Sequence, residues 1–172
     1  MSDDVKIWTT VGSAGTLNAT ELAKVTLNNA VIVLGQDIAP PAASAPAAPS
    51  IGISTSSAVV RYNITPVDGL FATGPFHYVL QLTYRGSVRA RLAQFDLSSG
   101  AETDLLHFDS ASFPPAHSFV TNSGTTTDDS PVMDFVNCAY YVEATLTASA
   151  VVVGNPAEIA AVKVYASPDF SG

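Results

Sequence analysis

The stretch Tyr140-Tyr141-Val142-Glu143-Ala144-Thr145-Leu146-Thr147-Ala148-Ser149 decides the fold. Tyr140, Val142, Ala144, Leu146 and Ala148 alternate with Tyr141, Glu143, Thr145, Thr147 and Ser149, and a period of two puts the sets on opposite faces of a strand. One face is apolar and the other wet, the pattern of an antiparallel strand with one side in a core. Outward from it the same period returns. Ala58, Val60, Tyr62 and Ile64 alternate with Val59, Arg61, Asn63 and Thr65, and Tyr78, Leu80, Leu82 and Tyr84 with Val79, Gln81, Thr83 and Arg85. No long window carries a convincing 3.6-residue stripe, so the chain reads as all-β.

Gly86-Ser87 supplies a tight-turn signal, and Val88, Ala90 and Leu92 then alternate with Arg89 and Arg91, which predicts a β-hairpin over residues 77 to 97. The alternation slips at Gln94, Phe95 and Asp96, and a bulge near Ala93 to Phe95 is the economical explanation. Ser98-Ser99-Gly100 makes the next turn, Glu102 to Phe108 the next strand and Ile159 to Tyr165 a closing strand. Val31-Ile32-Val33-Leu34, apolar on both faces, belongs in a central strand or in one covered by another element. Val5 to Val11, with the sole tryptophan Trp8, is a further strand, and Thr20 to Lys24 a helical turn capped by Thr20.

Residues 39 to 50 hold Pro40-Pro41-Ala42-Ala43-Ser44-Ala45-Pro46-Ala47-Ala48-Pro49, whose prolines forbid a central strand and favour extended geometry. The roughly forty residues before it are too few for a core of their own, so it reads as a crossover or hinge within a single domain spanning 1 to 172. About eight or nine strands with turn signals between them fit two antiparallel sheets packed face to face. The expected architecture is a jelly-roll-like β-sandwich, with an immunoglobulin-like sandwich as the alternative.

The 172 residues are 47% hydrophobic and 13% charged, which excludes general disorder, and no apolar run is long enough for a membrane span. Fifteen acidic against seven basic residues give a net charge of -8, which repels a phosphate backbone and argues against a nucleic-acid partner. The lone Cys138 forms no intrachain disulfide, and Met1-Ser2-Asp3-Asp4 has no basic and apolar leader pattern. The expected location is cytoplasmic by default or mature extracellular.

Catalytic signatures are absent. His77, His107 and His117 have no close metal-ligand spacing with one another or with Cys138, and no Gly-x-Ser-x-Gly elbow occurs. His107 is expected as a partly buried imidazole, and Asp96, Glu102, Asp104, Asp109 and Glu143 as carboxylates at turns or on wet strand faces. The best metal candidate is calcium on Asp128, Asp129 and Asp134, which lack the spacing of an EF-hand loop.

The strands converge on a candidate ligand or interface surface instead. Arg61, Asn63, Gln81, Thr83, Arg85, Arg89, Arg91, Glu143 and Thr145 are all expected to face outward, gathering four of the seven basic residues on a polar face. Trp8, Tyr141 and Tyr165 are candidate stacking platforms beside them. A low-charge, alanine- and valine-rich surface implies association with copies of itself. The leading expectation is therefore a non-catalytic structural protein that assembles into an oligomer, shell or fibre. A carbohydrate-binding sandwich with a glycan partner is the alternative, and a metal-dependent enzyme a remote third.

Overall fold

The computed structural model describes residues 7–35, 57–66, 76–126, 132–148 and 156–168. The Pro-rich segment, Asp128 and Asp129, and Val151-Val152-Val153 lie outside them. The elements run β1 (Ile7–Val11), α1 (Ala19–Leu22), β2 (Val25–Asn28), β3 (Val31–Leu34), β4 (Ser57–Ile64), β5 (Phe76–Arg85), β6 (Ser87–Asp96), β7 (Glu102–Asp109), β8 (Val120–Thr125), β9 (Cys138–Thr147) and β10 (Glu158–Pro168).

The strands pair antiparallel in two sheets. One has the order β2-β3-β10-β5-β8, with β1 also on β10, and the other β4-β9-β6-β7. The pairings nest: β3 lies on β10, β4 on β9, β5 on β8 and β6 on β7. Winding that ribbon brings β10 against β5 and β9 against β6. This is the jelly-roll arrangement of an all-β sandwich.

The alternation read from the sequence sets the two inner faces. Val60 and Tyr62 from β4, Leu80, Leu82 and Tyr84 from β5, Val88 and Leu92 from β6, Val142 and Leu146 from β9, and Val162 and Val164 from β10 are all at most 2% exposed. Burying one such aliphatic or aromatic side chain contributes about 1.5–3 kcal/mol, so the period-two pattern is the main energetic reason for the sandwich. Tyr84 of one sheet meets Phe108 of the other edge-on at 5.5 Å between ring centres. Its hydroxyl stays satisfied by the Asn122 amide at 2.9 Å. In β3, Ile32 and Leu34 are buried while Val31 and Val33 are half-covered, as the doubly apolar run predicts.

Three local expectations need correction. The helical turn is capped by Asn18, not Thr20, and the Asn18 side chain accepts from the Glu21 amide at 2.9 Å. The predicted hairpin over 77–97 is not a hairpin: Arg85 pairs with Glu158 of β10 and Ser87 with Thr147 of β9, so β5 and β6 belong to different sheets. Gly86, at φ +75, turns the chain from one layer into the other, and its amide donates to the Ala116 carbonyl at 3.0 Å. The bulge lies on the neighbouring strand. The β6–β9 register runs unbroken, whereas β7 sets Leu106 opposite Leu92 but Asp104 opposite Ala93, making Leu105 the extra residue. Gln94 then keeps its inward place at the sheet end by donating to Cys138 Sγ at 2.9 Å.

Candidate functional site

The outer face of the β4-β9-β6-β7 sheet carries a lattice of charge. Cross-strand register sets Arg61 beside Glu143, Glu143 beside Arg91, and Arg91 beside His107. Directly opposed residues share a face within interacting distance, so these contacts follow from the pairing. Arg61 Nε donates to Glu143 Oε2 at 2.7 Å, and Arg91 Nε donates to Glu143 Oε1 at 3.1 Å. Arg91 also reaches Asp104 Oδ1 through Nη1 and Glu102 Oε1 through Nη2, each at 2.5 Å. One row away, Arg89 Nε donates to Asp109 Oδ2 at 2.9 Å.

The Leu105 bulge makes this possible. Asp104 has the same even parity as the inward Leu106 and Phe108, and in an unbroken strand it would point into the core. The extra residue reverses the facing for the first part of β7 and delivers Asp104 and Glu102 to Arg91. Partial burial opposes the Arg91 charge, but the hydrogen bonds to Asp104 and Glu102 and the charge of Glu143 outweigh it and hold the guanidinium well above its usual range. The Tyr141 hydroxyl and then Arg91 hold the Glu102 carboxyl below the usual carboxylate range.

Tyr141 floors the lattice. It points outward from β9, yet it is only 6% exposed, because the Arg61 guanidinium lies over its ring at 4.6 Å and that of Arg91 at 6.0 Å. Its strand partner Ala93 is fully buried and small enough to leave the phenol room. Burial first, and then the Glu102 carboxylate, push the phenol up to about 12. The hydroxyl is sealed from solvent and has no partner of regular hydrogen-bond geometry.

Beside the lattice is a shallow depression of about 310 Å³, bordered by Arg89, Arg91, His107, Asp109, Glu143 and Thr145. His107 is not the partly buried imidazole expected. Its side chain is 71% exposed, with Nε2 3.5 Å from Asp104 Oδ2.

The predicted polar face divides between the two outer surfaces. Arg61, Asn63, Arg89, Arg91, Glu143 and Thr145 share the face just described, while Gln81, Thr83 and Arg85 lie on the opposite side of the sandwich. There Gln81 donates to Ser123 at 3.1 Å, Thr83 bonds Thr121 at 2.8 Å, and Arg85 pairs with Glu158. The gathering of four basic residues on one face is thus corrected: the Gly86 corner separates Arg85 from Arg89 and Arg91, and each of the four has a carboxylate. Two of the three candidate platforms are covered, Trp8 in the core at 8% exposure and Tyr141 beneath the arginines. Tyr165 is half-buried on the outer face of the other sheet. Asp134 caps its own loop, accepting from the Val136 and Asn137 amides and from Asn137 Nδ2. Among the described residues no cluster of metal-ligating side chains is found, and no helix is long and apolar enough to cross a membrane.

Sequence reasoning placed Glu102, Asp104 and Asp109 among scattered exposed carboxylates. The Leu105-Leu106 doublet, which breaks the alternation within β7, is the signal that locates the bulge and hence the lattice.

These features define an all-β jelly-roll sandwich with a charged outer face. No protein-family profile matches the chain, and no curated protein matches it. Among solved structures it is similar to a crystal structure of a Stig cyclase, Fisc from Fischerella sp. TAU, in complex with (3Z)-3-(1-methyl-2-pyrrolidinylidene)-3H-indole. The match covers 98% of this chain and 91% of that one, with 11% identity and a TM-score of 0.41. That neighbour is an enzyme by its description, and the expectation of a non-catalytic, self-assembling structural protein is corrected against it. A sandwich without a recognisable sequence motif is no ground for excluding catalysis, because chemistry resides in sites and not in folds. The likeness brings no activity to this chain.

Proposed function

We propose that the outer face of the β4-β9-β6-β7 sheet is the molecule's binding surface for a small polar ligand that brings hydrogen-bond donors and acceptors together. The observation that carries this reading is the depression bordered by Arg89, Arg91, Asp109 and Glu143, in which cations and carboxylates are held in place by one another. Side chains locked by cross-strand ion pairs lose little further freedom when a ligand arrives, which favours binding. A simple anion fits poorly. Arg61, Arg89 and Arg91 face Glu102, Asp104, Asp109 and Glu143, so the fixed charges sum to minus one before His107 is counted. An anion would also have to compete with carboxylates already on the arginines.

Backbone amide NMR during titration with uncharged polyols, amino alcohols and carboxylates tests this. Saturable shifts are expected at residues 89–91, 107–109 and 143–145, with carboxylates weakest. Arg89→Ala, at a side chain 73% exposed, should weaken binding about tenfold without altering the fold. Shifts confined to the opposite face, or none, reject the reading.

A further inference from the structure

β4 ends its sheet, and the backbone groups on the side turned away from β9 must find partners elsewhere. Residues 12–24 cross that edge and supply them in two different ways. The first part is anchored through the backbone and by close packing. Thr16 and Arg61 exchange both backbone hydrogen bonds, at 2.6 and 3.0 Å, and the buried Tyr62 hydroxyl donates to the Gly12 carbonyl at 2.9 Å. Gly15 lies so close to β4 that a Cβ there would stand 2.1 Å from Val60 Cγ1. The second part, α1 and the Lys24 that follows it, meets β4 through side chains. Glu21 Oε2 accepts from the Val59 amide at 2.9 Å, and Lys24 Nζ donates to the Ser57 carbonyl and to Glu21 Oε1, each at 3.1 Å.

α1 is one turn long, buries none of its four residues and leaves Leu22 54% exposed. A single turn has no stability of its own, and burial does not supply it here, so the side-chain clips to β4 carry the hold. We infer that α1 is an acid-released latch: with Glu21 ionised it closes over Ser57 and Val59, and with Glu21 protonated it leaves the β4 edge while the sandwich and the Thr16 anchor stay folded. An ionised carboxylate accepts from the amide and the ammonium at once, and both bonds weaken when its charge is removed. Facing Glu21 are Lys24 of the same strap and the uncharged Ser57–Val59 stretch of β4; β2 brings no charged residue, and Arg61 spends its guanidinium on Glu143. Partial burial opposes the Glu21 charge, but the Val59 amide and then Lys24 outweigh it and hold the carboxyl below the usual range. A value depressed in the closed form favours closure above the ordinary glutamate range, and that advantage is lost as pH falls through the depressed value. An uncovered sheet edge is a template for strand pairing, so the latch governs whether this stretch of β4 is available.

Amide hydrogen exchange of the full chain, read by NMR as protection factors at about pH 7 and about pH 3, tests the latch on either side of the carboxylate range. The strand carries its own controls. Alternate residues of an antiparallel strand turn their backbone groups to opposite sides, so the Val60 and Tyr62 amides face β9, while Arg61 is held by Thr16 and Val59 by Glu21. Acidification is expected to lower Val59 protection a few-fold and to leave Val60, Arg61 and Tyr62 unchanged. Glu21→Gln should show the lowered Val59 protection already at neutral pH and no further fall in acid, and Glu21→Ala, which removes the acceptor altogether, should do the same. Unchanged protection at Val60 and Tyr62 in both variants shows that they are folded. Val59 protection that is indifferent to pH overturns the inference. So does a fall shared with Arg61, Val60 or Tyr62, which would mean that the edge opens only with its anchor or its sheet. A Glu21→Gln chain that keeps the parent's protection and the parent's fall in acid overturns it as well, because another group then holds α1.

Discussion

Two short links in this chain carry the same turn vocabulary and do opposite things. The link between β6 and β7 closes a hairpin: Asp96 accepts from the Ser98 and Ser99 amides at 2.8 and 2.9 Å, Gly100 sits at φ +72, and both strands stay in one sheet. The link between β5 and β6 is Gly86 alone, at φ +75, and the chain leaves one sheet for the other. Surroundings account for the difference. Around Gly100 there is open space, whereas a Cβ on Gly86 would lie 2.9 Å from Ala157 Cα and 3.0 Å from the Pro156 carbonyl oxygen. One link is a solvent-facing tip and the other a packed corner.

That contrast orders the expected effects of substitution. Gly86→Val combines the penalty of a positive φ with a backbone collision, and it should lower unfolding free energy by about 2–4 kcal/mol in urea titrations. A loss below about 1 kcal/mol would mean that the corner relaxes and is no tighter than the hairpin tip. Next comes the lattice that the corner keeps apart from the opposite face. Glu143→Gln withdraws the charge shared by Arg61 and Arg91 at a site 19% exposed, and about 1–2 kcal/mol should be lost. Thr83→Ala, on the other face, should cost under about 0.5 kcal/mol. Equal losses for the two would erase the distinction between the faces.

At the tip, Gly100→Ala meets no neighbouring atom and should cost about 1 kcal/mol, from φ alone. The smallest effect is a titration. The Ser98 hydroxyl and the Ser99 and Ser98 amides hold the Asp96 carboxyl down at about 2. A depressed folded value stabilises the native state above the ordinary aspartate range, and that contribution fades as pH falls toward 2. Carbon-detected NMR should place the midpoint there, and Ser98→Ala should move it upward. A midpoint near 4 in the parent chain would show that the turn does not hold the carboxylate.

The split at Gly86 leaves a trace in the sequence. In a two-residue hairpin at Gly86-Ser87, Arg85 and Val88 would oppose each other and share a face, yet the alternation assigns Arg85 outward and Val88 inward. Face parity therefore disfavours that hairpin, but the glycine signal obscures it. The Leu105-Leu106 doublet is a comparable trace of the bulge. No local pattern tells that Glu143 on β9 stands between Arg61 and Arg91, residues 82 and 52 positions away. Which strands lie side by side is a matter of how the ribbon winds.

The sequence by itself determined the all-β class and the inner faces of the alternating strands, though not β2 or β8, because side-chain direction in a strand depends only on position along the chain, and apolar residues at every second position must find a common interior. Only the tertiary structure decided which sheet each strand joins, that the arginines divide between opposite surfaces, and that Glu102 and Asp104 turn outward to Arg91. Those outcomes depend on strand neighbours distant in sequence, on a corner too crowded for any side chain, and on one inserted residue in β7. A charge lattice is a property of register, and register is set when the sheets assemble.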